Sequence, residues 1–221
     1  MQSNQLKIPN HLLKVFFNLY LILCLILVIL SSSFAAFPSW EEKYADESSL
    51  DFLLERTVEL HKDWSSQETI HFITKVQKED AKDLGEIPID YDKSFQVVKN
   101  IRASVTTPEG KELQYKFILD LKPYSGVPMY SNRRTKVITL PAVTPGCTIE
   151  WQVTIVDKKP IIRDSFYEYF SFSNDIPIKS LRHTLIIPKG MPVQIVHYNT
   201  QIKPQVREES GKVIYQWQLE S

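Results

Sequence analysis

The sequence predicts an all-β protein, an antiparallel β-sandwich preceded by an N-terminal hydrophobic signal or anchor helix. Three observations carry this reading. From Asp51 onward, β-branched and aromatic residues alternate with polar ones between Gly, Pro, Asn and Asp punctuation. No helical period competes with that alternation. The connections are too short for crossover helices, which favours antiparallel neighbours.

Taken in order, residues 53–62 and 69–77 form a first hairpin around Asp63, Trp64, Ser65 and Ser66. Val58 and Leu60 alternate with Glu59 and His61, and Ile70, Phe72 and Thr74 with His71, Ile73 and Lys75. Residues 79–91 are less regular. Residues 96–106 and 112–119 flank Pro108, Glu109, Gly110 and Lys111, where Pro presets the turn and Gly accepts a positive φ, a second hairpin signal. Residues 122–132 hold Pro123, Gly126 and Pro128 and read as a surface loop. Strands follow at 134–140 and, after the Thr144, Pro145, Gly146 turn, at 147–156, where Ile149, Trp151 and Val153 share a face. Further strands are predicted at 167–172, 180–187, 193–198 and 213–219. No internal repeat interrupts this order.

Residues 15–30 are nearly all apolar, preceded by Lys7 and Lys14 and followed by Ser31, Ser32, Ser33, Phe34, Ala35 and Ala36. This is the layout of a secretory signal peptide, with small residues at Ser33 and Ala35 placing the cut before Ala36. The uncharged run continues to Trp40, long enough to span a hydrocarbon layer if the segment is not cut. The sequence therefore divides into a signal peptide or uncleaved membrane anchor (1–35), a linker (36–50) and a sandwich domain (51–221). In both cases the positive flank directs the domain across the cytoplasmic membrane, to be periplasmic or secreted if cleaved and anchored if not.

The chain has 221 residues with 26 basic against 26 acidic side chains; without residues 1–35 the balance is 24 to 26. That composition suits a folded domain and lacks the basic footprint of a nucleic-acid binder. Of two cysteines, Cys24 lies in the apolar run, so Cys147 would be left without an intramolecular disulfide partner, as an intermolecular partner, a reactive thiol or a small buried hydrophobe.

Residues 134–151 carry a distinctive order: Arg134, Thr135, Lys136, Val137, Ile138, Thr139, Leu140 and Pro141, then the Pro145-Gly146 turn, then Ile149, Glu150 and Trp151. With Thr107 to Gly110 and Ile187, Pro188, Lys189 and Gly190, this resembles the family of unknown function that precedes transglutaminase-like domains in exported bacterial proteins. The resemblance covers most of the chain beyond the N-terminal segment and implies a β-sandwich outside the cytoplasm, with no site residues. Cys147 departs from the family pattern, where a polar residue follows the turn glycine. Members commonly continue into a transglutaminase-like domain, whereas this sequence stops at Ser221.

No catalytic constellation stands out. Cys147 opens a strand and could borrow only His183 or His197, and no phosphate loop, nucleophile elbow or zinc-type spacing is present. His61 and His71 are poorly placed to share a metal, and His183 with His197 would make a two-His site without a carboxylate. Glu150 is expected to pair across strands with Arg134 or Lys136. Phe166, Tyr167, Tyr169, Phe170 and Phe172 read as a central buried strand or as an aromatic platform for sugars. Tyr124, Val127, Pro128, Met129 and Tyr130 form the candidate partner-contact loop. The sequence thus predicts no enzyme, cofactor or metal. It predicts a non-catalytic binding or structural module of the cell envelope, whose partner is an envelope protein or polymer, with membrane contact through the N-terminal segment if uncleaved and no nucleic acid. The alternative is a remnant or N-terminal part of an exported transglutaminase-like or protease-like enzyme.

Overall fold

A computed structural model of the chain describes residues 39–122, 132–173 and 175–221. The signal or anchor segment 1–35 and the contact-loop residues Tyr124, Val127, Pro128, Met129 and Tyr130 lie outside the described residues. Among the described residues, no helix is long and apolar enough to cross a membrane.

A single helical turn, α1 (Trp40–Lys43), leads into the first hairpin, β1 (Ser49–Leu60) and β2 (Ser66–Val76). Asp63 makes the turn: its Oδ1 accepts from the Ser65 amide at 3.1 Å and the Ser65 hydroxyl at 2.6 Å. Trp64 is thereby held at a φ of 66°. A 3-10 helix (Glu79–Gly85) and β3 (Glu86–Asp92) occupy the irregular stretch. They are followed by β4 (Gln96–Thr106), β5 (Glu112–Gln114), β6 (Phe117–Leu121), β7 (Arg133–Thr139), β8 (Thr148–Asp157), β9 (Ile178–Pro188), β10 (Gln205–Glu209) and β11 (Lys212–Glu220).

The strands form an eight-stranded sheet in the order β10-β11-β9-β1-β2-β8-β4-β5 and a three-stranded sheet in the order β3-β7-β6. The all-β reading holds. The purely antiparallel one does not, because β1 runs parallel to β9, with Leu54 opposite Leu181 and Val58 opposite Leu185. Residues 158–177 form a connection long enough to bring the chain back in the same direction, and strand spacing alone does not disclose that return. The second hairpin also departs from expectation. Only Ser104, Val105 and Thr106 pair with β5; the Tyr115 amide still bonds Ala103, but the next amide, of Lys116, bonds Thr139 of the other sheet. What reads as one strand is a corner where the chain changes sheets.

The eight-stranded sheet is apolar on one face and polar on the other. Glu55, His71 and Arg182 lie on the polar face, where Arg182 donates to Glu55 at 3.0 Å and Thr69 meets Thr154 at 3.2 Å. The apolar face is covered in two halves. Over β2, β4 and β8, the three-stranded sheet contributes Ile87, Ile89 and Ile138 to a core shared with Val76, Val105, Cys147, Ile149 and Val153. Over β1, β9 and β11, the cover consists of irregular segments instead. Phe166, Phe172, Met191, Ile195 and Ile202 lie against Val58, Leu60, Leu185, Ile187 and Trp217.

The predicted strands at 167–172 and 193–198 are therefore corrected: both fall within irregular segments. In the first, alternate side chains turn inward, and burial on one side reports a covering segment as readily as a ladder; in the second, only Ile195 turns inward. Tyr167 and Tyr169 are largely exposed, so these aromatics do not form a central buried strand.

Ile138 has no accessible surface and joins the two sheets. Ile138→Ala is expected to lower stability by about 3 kcal/mol through lost transfer energy and the cavity left behind, read from the urea unfolding midpoint. A loss below about 1 kcal/mol would show that the two sheets do not depend on this contact.

Candidate functional site

Beyond an irregularity between Asp51 and Leu53, β1 turns Leu54, Arg56, Val58 and Leu60 toward the apolar face. Arg56 is the exception among them, a cation between Ile70 of β2 and His183 of β9. It is held by Glu68 of β2 through Nε, by Glu168 at 2.6 Å, and by the Tyr169 carbonyl, which accepts from it at 3.1 Å. Burial opposes its charge, but hydrogen bonds and attraction from Glu68 and Glu168 outweigh that and push the guanidinium's pKa up. Glu168 is pushed above the ordinary carboxylate range, chiefly by burial, against the pull of Arg56. One side chain thus ties β1 and β2 to the covering segment.

His183 lies beside Arg56, only 4% exposed, with its ring stacked on Phe170 at 4.2 Å and tilted against Trp217 at 5.4 Å. Burial first, then the charge of Arg56, lowers its pKa to about 4, so it is neutral at physiological pH.

The same covering segment leaves a cavity of about 240 Å³ between itself and the ends of β1, β2 and β8. Val58, Trp64, Pro160, Ile161, Ile162 and Phe166 provide apolar walls, and Ser66, Glu68, Asp157, Ser165, Tyr167 and Glu168 supply the polar groups. The Ser66 hydroxyl donates to Asp157 Oδ2 at 2.8 Å, while Oδ1 of the same carboxylate is buried without a hydrogen-bond partner. Cys147 belongs to the other core and has no accessible surface, and burial raises its thiol pKa. The cavity's own chemistry is charge, hydrogen bonding and apolar contact.

The residues singled out in the sequence fall elsewhere. Glu150 does not meet Arg134 or Lys136; β8 is flanked by β2 and β4, and Glu150 Oε1 lies 2.8 Å from His71 Nε2. Arg134 and Lys136 meet Asp120 instead, at 3.8 and 3.0 Å. His183 is buried and His197 exposed, with no hairpin between them. Among the described residues, no group of three or more His, Cys, Asp or Glu is arranged to hold a metal ion. The cavity residues Ser66, Glu68, Asp157 and Glu168, and Arg56 that holds two of them, were missed. A signal was present: Arg56 and Glu68 interrupt otherwise apolar inward positions of adjacent strands, marking a polar group that the fold has to accommodate.

The fold defines a two-layer, all-β module whose second layer is part sheet and part irregular cover. The chain belongs to DUF3857, a domain of unknown function with solved structure, whose sequence model matches residues 62–221. No curated protein sequence matches. Among solved structures, a candidate protease from Parabacteroides distasonis shares the fold, with a TM-score of 0.69 and 18% identity over 78% of this chain and 35% of that one. The chain thus spans about a third of that protein's length. The M1 zinc metallopeptidase of Deinococcus radiodurans (TM-score 0.37, 12% identity, 78% of this chain, 39% of that one) and native yeast LTA4 hydrolase (0.35, 12%, 77% and 26%) superpose more loosely. At these last values the likeness speaks for neither a shared fold nor a shared chemistry.

Stability should fall in acid because of His183. Its pKa is about 4 when folded against 6.5 when exposed, so the unfolded chain takes up the proton first as pH drops. The stability it confers is full above about pH 6.5 and lost progressively down to about pH 4, by up to about 3 kcal/mol. Glu168, raised in the folded chain, acts in the opposite sense, so the contribution is read as a difference between variants. Urea midpoints at about pH 7 and pH 4.5 should diverge more for the unsubstituted chain than for His183→Phe, which keeps the aromatic stack and removes the titration. Equal divergence would place the acid sensitivity in another group.

Proposed function

We propose that this chain is a non-catalytic module exported to the cell envelope, where it binds a partner protein or polymer through the cavity under its irregular cover. The observation that carries the binding role is the cavity of about 240 Å³ itself, in which apolar walls stand beside the side chains of Ser66, Glu68, Asp157 and Glu168. The export rests on the positively flanked apolar run at 15–30 and its small-residue exit. Periplasmic, secreted and membrane-anchored forms all follow from whether that run is cut, and the anchored form adds the membrane as a contact. Association with transglutaminase-like domains is the finer reading that the resemblance of residues 134–151 supports.

A second reading is that the module serves as the N-terminal part of a longer exported enzyme of transglutaminase-like or protease-like character. It is favoured by the Parabacteroides distasonis relative, in which the shared fold accounts for 35% of the chain. Coding sequence that continues in frame past Ser221 into a Cys-His-Asp domain would establish it.

Export and binding are tested separately. In spheroplasts, added protease should digest the full chain while a cytoplasmic marker survives; joint survival would rule out export. The envelope component retained by the immobilised full chain should be lost from Ser66→Phe, which fills the cavity, and unchanged retention would remove the cavity from the binding surface.

A further inference from the structure

We infer that the segment after β8 docks the domain on a membrane surface rich in anionic lipid, with Ile161 and Ile162 entering the apolar layer and the lysines around them resting among the headgroups. This goes beyond the cavity and does not depend on it, because it concerns the outward side of a segment whose inner side lines that space. Ile161 and Ile162 are consecutive and are 75% and 68% exposed, with Tyr167 nearby at 84%. Adjacent aliphatic side chains left in water to this extent mark a surface that something apolar covers. Their presentation is fixed from below. The Lys158 amide donates to the Phe95 carbonyl at 2.8 Å, Asp164 turns the chain at a φ of 52°, and Phe166 packs into the core beneath.

The register gathers a positive rim around this tip. Ser66 of β2 and Gln96 of β4 both lie opposite Asp157 at the end of β8, so the turns that precede them emerge beside Lys158. Those turns bring Lys62 and Lys93 to Lys158, Lys159 and Arg163, all of them exposed. The carboxylates of the three turns are fewer and are engaged: Asp63 by Ser65, Asp92 by the Ser94 amide, and Asp164 by Arg163 at 3.6 Å. Among the described residues, none of the four lysines forms an ion pair. Beyond residue 35 the chain as a whole is slightly acidic, 24 basic against 26 acidic side chains, so the positive sign belongs to this end and not to the composition.

That sign calls for an anionic partner, and the apolar tip decides which. A nucleic acid offers no apolar layer, and an acidic protein would need a hollow shaped to two isoleucines. A bilayer accepts an exposed apolar tip without shape complementarity and sets its anionic groups in the plane where the lysines stand. Tyr167 has the apolar body and polar hydroxyl that favour the headgroup boundary, and Arg163 can lay its stem along the tip with its charge outward.

The test reads an environment-sensitive NBD fluorophore on Ser165→Cys in the full chain with Cys24→Ser, the buried Cys147 staying unlabelled. The chain is reconstituted in vesicles of phosphatidylcholine alone or mixed equally with phosphatidylglycerol. Because the N-terminal run can itself hold the chain at a vesicle, a second label on Lys82→Cys, in the 3-10 helix beyond the far end of β2, reports mere proximity. In mixed vesicles the label at position 165 should brighten, shift to the blue and be quenched by doxyl groups on the acyl chains, while the label at position 82 should do none of these. High salt should reverse the change, and Ile161→Ser with Ile162→Ser should lower the inserted fraction at least about tenfold. Equal signals at the two positions, or an equal response in neutral and mixed vesicles, would overturn the proposal. Silence toward vesicles with retention of the chain on immobilised polyglutamate would also overturn it and assign the rim to an acidic polypeptide. The lipid comparison and the salt dependence use the unsubstituted tip, so they decide the matter even if the serine variant does not fold.

Discussion

The eight-stranded sheet presents a face that includes Val58, Leu60, Leu185, Ile187 and Trp217 at one end and Val105, Ile149 and Val153 at the other, and this face has to be removed from water. A second sheet of only three strands covers one half. The remaining half is closed by segments without regular hydrogen bonding, whose anchors are Phe166, Phe172, Met191, Ile195 and Ile202. That division separates the two halves in character. The half under the small sheet is closed by paired backbones, and Cys147 sits there as an inert hydrophobe. The half under the irregular cover contains buried polar groups, a neutral histidine and the cavity.

Arg56 explains why the irregular cover stays down. Aromatic contacts alone fix a segment's distance from the sheet, whereas a guanidinium bonded to Glu68, Glu168 and the Tyr169 carbonyl also fixes its register. Removing one partner would leave a partly buried charge unmatched, so the cluster is self-enforcing even though its net contribution to stability is modest. The same contacts bring Glu168 to the cavity margin. The site and the closure of the core are therefore products of one arrangement.

Much of the architecture was legible in the sequence. Alternation located β1, β2, β4, β7, β8, β9 and β11 because each has one face in a core, and the Asp63 and Gly110 turns were marked by residues that tolerate their geometry. Partner choice was not legible: nothing in the composition of β1 distinguishes a parallel from an antiparallel neighbour, and the apolar alternation Leu113, Tyr115, Phe117, Leu119 runs on through the corner although the inward residue beyond it is Ile118. The cavity was invisible for a related reason. Ser66 and Asp157, 91 residues apart, meet through the register of β2 with β8, and Glu168 reaches Arg56 only because the segment after β8 folds back over the sheet. Tyr167 and Tyr169 misled because a covering segment that buries alternate side chains reads like a strand.

The parallel pairing of β1 with β9 also bears on how quickly the chain can fold. Glu55 and Arg182, which meet across that pair, are 127 residues apart in sequence. Contacts of such separation must close a long loop before any gain is realised, and folds built on them form slowly. The hairpin of β1 and β2 can form early, but the second edge of β1 waits for β9. Under the proposal of export, such a delay would keep the chain threadable, with the topology itself holding off the native state until the far side is reached.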